Sequence, residues 1–102
     1  MATYAIRADA IYTEAETVEL ALAVIKDGEV LTSASNATAE LRQLNGTLLD
    51  SFTSEAAPDT QGIFSFEAVT RTLAPGSMYY IKVTALDGTV ELSDVIFIKR
   101  FN

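Results

Sequence analysis

Apolar and polar side chains alternate one by one along several stretches of this chain, a pattern typical of antiparallel strands with one buried face. The first stretch covers residues 4–12, where Arg7 and Asp9 lie on the polar face. The opposite face carries Tyr4, Ile6, Ala8, Ala10 and Tyr12. We therefore predict a first strand here, followed by a short polar break over residues 13–16.

Residues 18–25 fit two structures. As a strand, they would turn Val18, Leu20, Leu22 and Val24 inward. As a helix, they would follow a capping box formed by Thr13 and Glu16, and they are rich in helix formers. The strict alternation and the Lys26-Asp27-Gly28 turn that follows favour the strand. Ala21 and Ala23 would then point outward, which suggests that something covers them, although an ordinary mixed face also explains them.

The middle of the chain predicts a hairpin. Residues 32–38 have a loop composition, and residues 37–44 alternate as a strand, with a short helix capped at Asn36 as the alternative. Asn45-Gly46 is a strong hairpin signal and predicts a type I′ turn, because both positions of that turn need a positive φ. Residues 47–52 would form the return strand, and residues 53–61 a polar surface loop.

The second half of the chain predicts three further strands. Residues 62–69 would point Phe64, Phe66 and Ala68 inward. After Leu73 and the Pro75-Gly76 turn, a strand would bury Tyr79, Ile81, Val83 and Ala85 and point Tyr80, Lys82 and Thr84 outward. Asp87-Gly88 marks a hairpin into the last strand, residues 91–98. That strand is apolar on both faces, so we expect both to be covered, one by the second sheet and one by a neighbour or residues 99–102.

Two stretches resemble known families. The run LAPGSMYYIKVTA, residues 73–85, resembles the entry to a late strand of fibronectin type III domains, in which a tyrosine bonds back to the turn. Residues 59–66 with the Pro-Gly turn resemble carboxypeptidase-regulatory and collagen-adhesin B-type repeats, although the link from Phe66 to Pro75 is longer than in those repeats.

Both resemblances imply an all-β fold, a single Ig-like Greek-key β-sandwich of about seven antiparallel strands over residues 1–102. They leave the choice between the two topologies open. Pro75, Gly76 and Tyr79 would be its fold-defining residues.

Composition narrows the picture further. A chain of 102 residues is expected to form one domain, and without cysteine it has no disulfide or thiolate metal site. The net charge of −7 argues against nucleic acid as a partner and weakly favours a basic one, although solubility alone also explains it. No secretion signal or membrane span is visible, so we expect a soluble product made in a cytoplasm.

Candidate chemistry is sparse. The chain lacks histidine, cysteine and tryptophan, which removes the common nucleophile–base and His–metal sites. The carboxylates considered are Asp59, Asp87, Glu91 and Asp94, which we interpret as solvated turn and strand-end groups; a calcium site of Asp59 with Asp87 is the remaining option. The formal glycosylation motifs at Asn36 and Asn45 are interpreted as coincidental. We expect no catalysis and no cofactor.

The resemblance implies a structural role. Ig-like domains of this kind occur as capsid decoration and tail-fibre modules of phages, so we expect a virion protein, made in the host cytoplasm, that docks on a shell or fibre protein or on itself and not on a membrane. Ala21, Ala23, Tyr80, Lys82 and Thr84 would carry the contact, since tyrosine is enriched in hot spots. The alternative is a carbohydrate-binding or adhesive module excised from a larger surface protein, for which only Tyr80 offers an exposed aromatic ring.

Overall fold

The computed structural model describes residues 1–100, and that part of the chain is all-β, with nine strands in two antiparallel sheets and no helix. The strands are β1 (Tyr4–Tyr12), β2 (Thr17–Lys26), β3 (Glu29–Val30), β4 (Ser35–Gln43), β5 (Leu48–Ser51), β6 (Ile63–Ser65), β7 (Val69–Thr70), β8 (Met78–Asp87) and β9 (Val90–Lys99). The strand was the right choice over the helix for both ambiguous segments. The sequence predicted about seven strands. β3, of two residues, was not among them, and β7 begins at Val69, the last residue of the strand predicted over residues 62–69.

The first sheet is built around β2. It pairs with β1 along one edge, and with β3, β6 and β7 along the other. The second sheet has the order β5-β4-β8-β9. Four hairpins, β1–β2, β2–β3, β4–β5 and β8–β9, each stay within one sheet. The links from β3 to β4, from β5 to β6 and from β7 to β8 carry the chain from one sheet to the other.

The core lies between the two sheets and is formed by the inward faces that alternation predicted. Val18, Leu22 and Val24 of β2 are fully buried, as are Ile81 and Val83 of β8. The predicted inward face of β1 is half-buried and packs against this core. Two matching apolar faces therefore meet, which is the physical reason why the chain folds into a sandwich-like pair of layers.

The turn before β8 has the geometry that its sequence predicted. The Ser77 N–H donates to the Ala74 carbonyl at 3.1 Å, and Gly76 between them has φ +78°. Tyr79 places its hydroxyl oxygen 2.8 Å from the Ala74 N–H, which donates to it. Leu73 is fully buried, and its N–H donates to the Tyr12 hydroxyl at 3.2 Å. These contacts fix the start of β8 relative to the first sheet.

The prediction of a type I′ turn at Asn45-Gly46 is wrong, although the hairpin exists. Only Gly46 has a positive φ, +95°. The Gly46 N–H donates to the Gln43 carbonyl at 2.9 Å, and the Gln43 N–H to the Thr47 carbonyl at 2.9 Å. This is a longer loop, a turn followed by a left-handed glycine, and it leaves a register shift between Leu41 and Arg42.

The predicted strand over residues 62–69 is interrupted, and Ala68 is exposed instead of inward. Ser65 pairs with Ala21 of β2, whereas Val69 pairs with Val18. Three residues lie between Ser65 and Val69, but only two lie between their partners Ala21 and Val18 on β2. The extra residue is a bulge. Because one extra residue reverses the alternation, Val69 takes the inward position that Ala68 was expected to hold.

The described chain covers one face of the last strand, and the cover expected on the other face, from a neighbour or residues 99–102, stays a prediction. Ile96 and Ile98 pack against the core, but Val95 and Phe97 on the other face are 42% and 62% exposed. The predicted cover from residues 101–102 lies outside the described residues. Across residues 1–100 there is no helix that could span a membrane.

Candidate interaction surface

The outer face of the four-stranded sheet carries a cluster of exposed apolar side chains. Strand pairing places Tyr80 between Arg42 of β4 and Phe97 of β9, and Arg42 in turn pairs with Leu48 of β5. We call the following residues the apolar patch: Leu48, Met78, Tyr80, Val95 and Phe97. Tyr80 is half-buried, and the other four are exposed. Several exposed apolar side chains on one sheet face make this patch a candidate interaction site.

The other half of the same face is polar. Thr84 shares a hydrogen bond between hydroxyl groups with Thr38 of β4. Arg42 binds Glu40 at 3.0 Å and the Gly46 carbonyl at 2.7 Å, which leaves its side chain extended along the sheet. Lys82, exposed between Glu40 and Val95, borders the apolar patch. Cationic groups therefore flank this patch in a chain whose net charge is −7.

The predicted interaction residues lie on two different sheets. Tyr80, Lys82 and Thr84 share the outer face just described. Ala21 and Ala23 belong to β2 in the five-stranded sheet, and they lie on its outer face, on the opposite side of the molecule. The structure therefore does not bring the five residues into one contact surface.

Ala23 is also unsuited to contact a partner, since it is only 9% exposed between Arg7 of β1 and Ile63 of β6. Ala21 is half-buried between Asp9 and Ser65 and lines a shallow depression. Strand neighbours on both sides cover these two small residues, which explains their apolar character without a partner.

The four candidate carboxylates are spread over the fold. Asp59 accepts the N–H groups of Gln61 and Ile63 at 2.8 and 3.0 Å, so it stabilises its own turn, as interpreted from the sequence. Asp94 accepts the Val95 N–H at 2.8 Å. Within residues 1–100 no three His, Cys, Asp or Glu side chains are grouped as metal ligands.

Asp87 belongs to a small polar cluster at one end of the sandwich. Tyr4 donates its hydroxyl hydrogen to Asp87 Oδ2 at 2.5 Å, and Lys26 Nζ lies 2.9 Å from the same oxygen. The hydrogen bond from Tyr4, and then that from Lys26, lower the pKa of Asp87. The same contacts with Asp87 raise the pKa of Tyr4 and of Lys26. The Tyr4 hydroxyl and the Lys26 ammonium group both bind Asp87 Oδ2, so this cluster has the character of a structural clasp.

An open groove of about 690 Å³ runs between the ends of β1 and β9. Ile11 and Tyr12 line one side, and Met78, Phe97 and Lys99 the other. The two edge strands β1 and β9 also lie close to each other. The apolar patch borders this groove through Met78 and Phe97.

Sequence reasoning missed Leu48, Met78, Val95 and Phe97 as surface residues. The signal for Val95 and Phe97 was present, because a last strand that is apolar on both faces exposes one of them unless something covers it. The signal for Leu48 and Met78 was absent, since both lie at strand ends where alternation says little. Comparison of the chain with protein-family models, curated proteins and solved structures gave no significant match.

Proposed function

We propose that this protein is a non-catalytic Ig-like interaction module that docks through the apolar patch onto a shell or fibre protein of a phage virion. The exposure of Phe97, Met78 and Val95 together on one sheet face carries the proposal. Aromatic and methionine side chains are enriched at protein interfaces, and they anchor binding when they enter pockets of the partner.

The strand order supports the Ig-like part of this proposal. In Ig domains, strands C, F and G lie side by side in one sheet and A, B and E in the other. With β4, β8 and β9 as C, F and G, and β1, β2 and β6 as A, B and E, the two sheets follow that order. β5 then corresponds to the additional strand beside C. The Tyr79 bond to Ala74 is the equivalent of the tyrosine corner.

The charged side chains around the apolar patch indicate what kind of surface the partner presents. Arg42 is already paired with Glu40, whereas Lys82 borders the apolar patch, so a matching surface offers an apolar pocket with a carboxylate or carbonyl group facing Lys82. The chain as a whole has 14 acidic groups against 7 basic ones, and this excess acts at long range and orients the molecule rather than holding it. The virion setting comes from the resemblance to Ig-like decoration modules, and the protein would reach the particle in the host cytoplasm.

Binding to assembled candidate capsids and tail fibres tests this function. Co-sedimentation of wild type should show saturable binding, and Met78→Ser should weaken it by about tenfold, since removing an interface anchor costs more than about 1 kcal/mol. The matched control is Val30→Ser. Val30 is 41% exposed and Met78 43%, but Val30 lies in the other sheet. Equal binding by the two variants, or no ordered binding by wild type, would reject docking through this patch.

A carbohydrate-binding function is the second candidate, and one observation favours it. Tyr80 and Phe97 are direct cross-strand neighbours on an outer face, so this face offers two aromatic side chains to a sugar ring. A glycan array read with wild type and with Tyr80→Ala separates the two functions. Glycan binding that Tyr80→Ala abolishes supports this candidate, and an array without hits removes it.

A further inference from the structure

β9 is a long edge strand with an open side. It has ten residues, and within residues 1–100 it pairs with β8 alone. The pairing runs without interruption from Asp87 with Val90 to Met78 with Lys99, so no bulge bends the strand. Proline is absent from it as well. The backbone groups of β9 that point away from β8 form an edge that another strand can join.

The Val95 amide shows which backbone groups face this open side. Its N–H donates to the Asp94 side chain at 2.8 Å. In an antiparallel pair, alternate residues turn their amides towards and away from the partner strand. The Val95 amide therefore points away from β8, and so do the amides of its odd-numbered neighbours Glu91, Ser93, Phe97 and Lys99. These five residues also share the outer face with the apolar patch.

We propose that β9 pairs antiparallel with β9 of a second copy of this chain, about a two-fold axis through Val95. In that register the two Val95 residues are opposite each other, and Glu91 of each copy is opposite Lys99 of the other. Both side chains are exposed in the single chain. Opposite charges directly across a strand pair stabilise it, and here the symmetry produces two such pairs.

Charge selects this register over its neighbours. An axis through Asp94 would place two carboxylates opposite each other, which is unfavourable. An axis through Ile96 would place Ser93, and not Glu91, opposite Lys99. Glu91 would then have no opposite charge across the strand pair. The outward residues of β9 are thus complementary to themselves in one alignment. The groove beside Phe97 and Lys99 leaves open space along this part of the edge.

Asp94 limits this association. Its alternation places it with the inward residues Leu92 and Ile96, yet it is exposed at the edge and holds the amide nearest the two-fold axis. Inward-pointing charges at an edge strand are a known device against unwanted pairing. The Val95 N–H must leave Asp94 before it can bond to the second copy, so the dimer is weak and reversible.

This inference goes beyond the proposed function, because docking through the apolar patch needs only one copy. The dimer would have one continuous eight-stranded sheet, with both patches on the same outer face. A partner with repeating sites would then meet two patches at once, which increases avidity without new contacts.

Sedimentation velocity over a range of concentrations tests the pairing. Asp94→Ala should strengthen dimerisation by about tenfold, since each of the two central amides regains a free hydrogen-bonding edge. Glu91→Lys should weaken the Asp94→Ala dimer by about tenfold, because like charges then face each other twice. Combining Glu91→Lys with Lys99→Glu should restore it. Glu29→Lys is the matched control, since it makes the same charge change outside β9.

Two results would overturn the proposal. One is an Asp94→Ala protein that stays monomeric at every soluble concentration while its circular dichroism shows an intact fold. The other is a dimer that the charge exchange does not restore but that Met78→Ser abolishes, because such a dimer would form through the apolar patch and not through the strand edge. Neither result bears on docking to a capsid, which the co-sedimentation experiment measures separately.

Discussion

Tyr4 and Asp87, 83 positions apart in the chain, are joined by a hydrogen bond of 2.5 Å between the phenol and the carboxylate. Tyr4 begins β1 in one sheet, and Asp87 ends β8 in the other. Lys26, at the end of β2, binds the same carboxylate and lies 5.6 Å from the centre of the Tyr4 ring. One acidic side chain therefore ties both sheets together at this end of the sandwich.

This clasp makes stability depend on pH. The pKa of Asp87 is lowered in the folded protein, so its stabilising contribution is present above the ordinary carboxyl pKa and is lost as pH falls through the folded value. The pKa values of Tyr4 and Lys26 are raised, so their contributions are complete below their ordinary values and are lost as pH rises through the folded ones.

We expect Asp87→Asn to lower the free energy of unfolding most between about pH 5 and pH 9, with a smaller loss at more acidic and more alkaline pH. Urea unfolding at a series of pH values measures this difference. Asp9→Asn is the control, because the Asp9 side chain has no hydrogen-bond or ion-pair partner among the described residues. A difference that stays constant across the whole pH range would contradict the role of the clasp.

Tyr79→Phe should destabilise the protein by about 1 kcal/mol, the usual net value of a single hydrogen bond. The substitution keeps the buried ring and removes only the oxygen that accepts the Ala74 N–H. Tyr80→Phe makes the same chemical change one residue later, where the hydroxyl has no hydrogen-bond partner within residues 1–100, and it should cost much less. Equal losses in urea unfolding would show that the bond to the turn does not stabilise the fold.

Two glycines with similar backbone angles should respond differently to alanine. Gly76 has φ +78° and open space where a Cβ would lie, so Gly76→Ala should cost about 1–2 kcal/mol from the left-handed conformation alone. Gly62 has φ +86°, and its Cβ would collide with Val30 Cγ1, so Gly62→Ala should cost more. Thermal and urea unfolding measure both. Adding Val30→Ala should recover part of the loss in Gly62→Ala and none of the loss in Gly76→Ala.

Because of the bulge before β7, we expect a charge at Val69 to destabilise the fold more than a charge at Ala68. Ala68→Asp should change the free energy of unfolding by less than about 0.5 kcal/mol, since Ala68 is exposed. Val69→Asp should cost about 1–3 kcal/mol, because Val69 packs against the core opposite Val18 and would bring a charge there. The reverse order in urea unfolding would mean that the strand continues without a bulge.

Alternation alone predicted most of the strands and their buried faces. It worked best for β1 and β8, which span nine and ten residues, because a long strand repeats its pattern often enough to exclude a helix. For β2 it favoured a strand but left a helix as the alternative. The turn before β8 was predicted as well, since Pro75 and Gly76 restrict the backbone locally. These features depend on side chains that are close together in sequence.

The features that the sequence did not determine depend on residues that are far apart. Whether Ala68 or Val69 faces the core was decided by the pairing with β2, and whether Ala23 is exposed by its neighbours in β1 and β6. The same holds for the clasp between Tyr4 and Asp87, and for the apolar patch that β5, β8 and β9 form together. Local pattern fixes which face of a strand is apolar, but only the packing of distant strands decides what covers that face and which edge stays open.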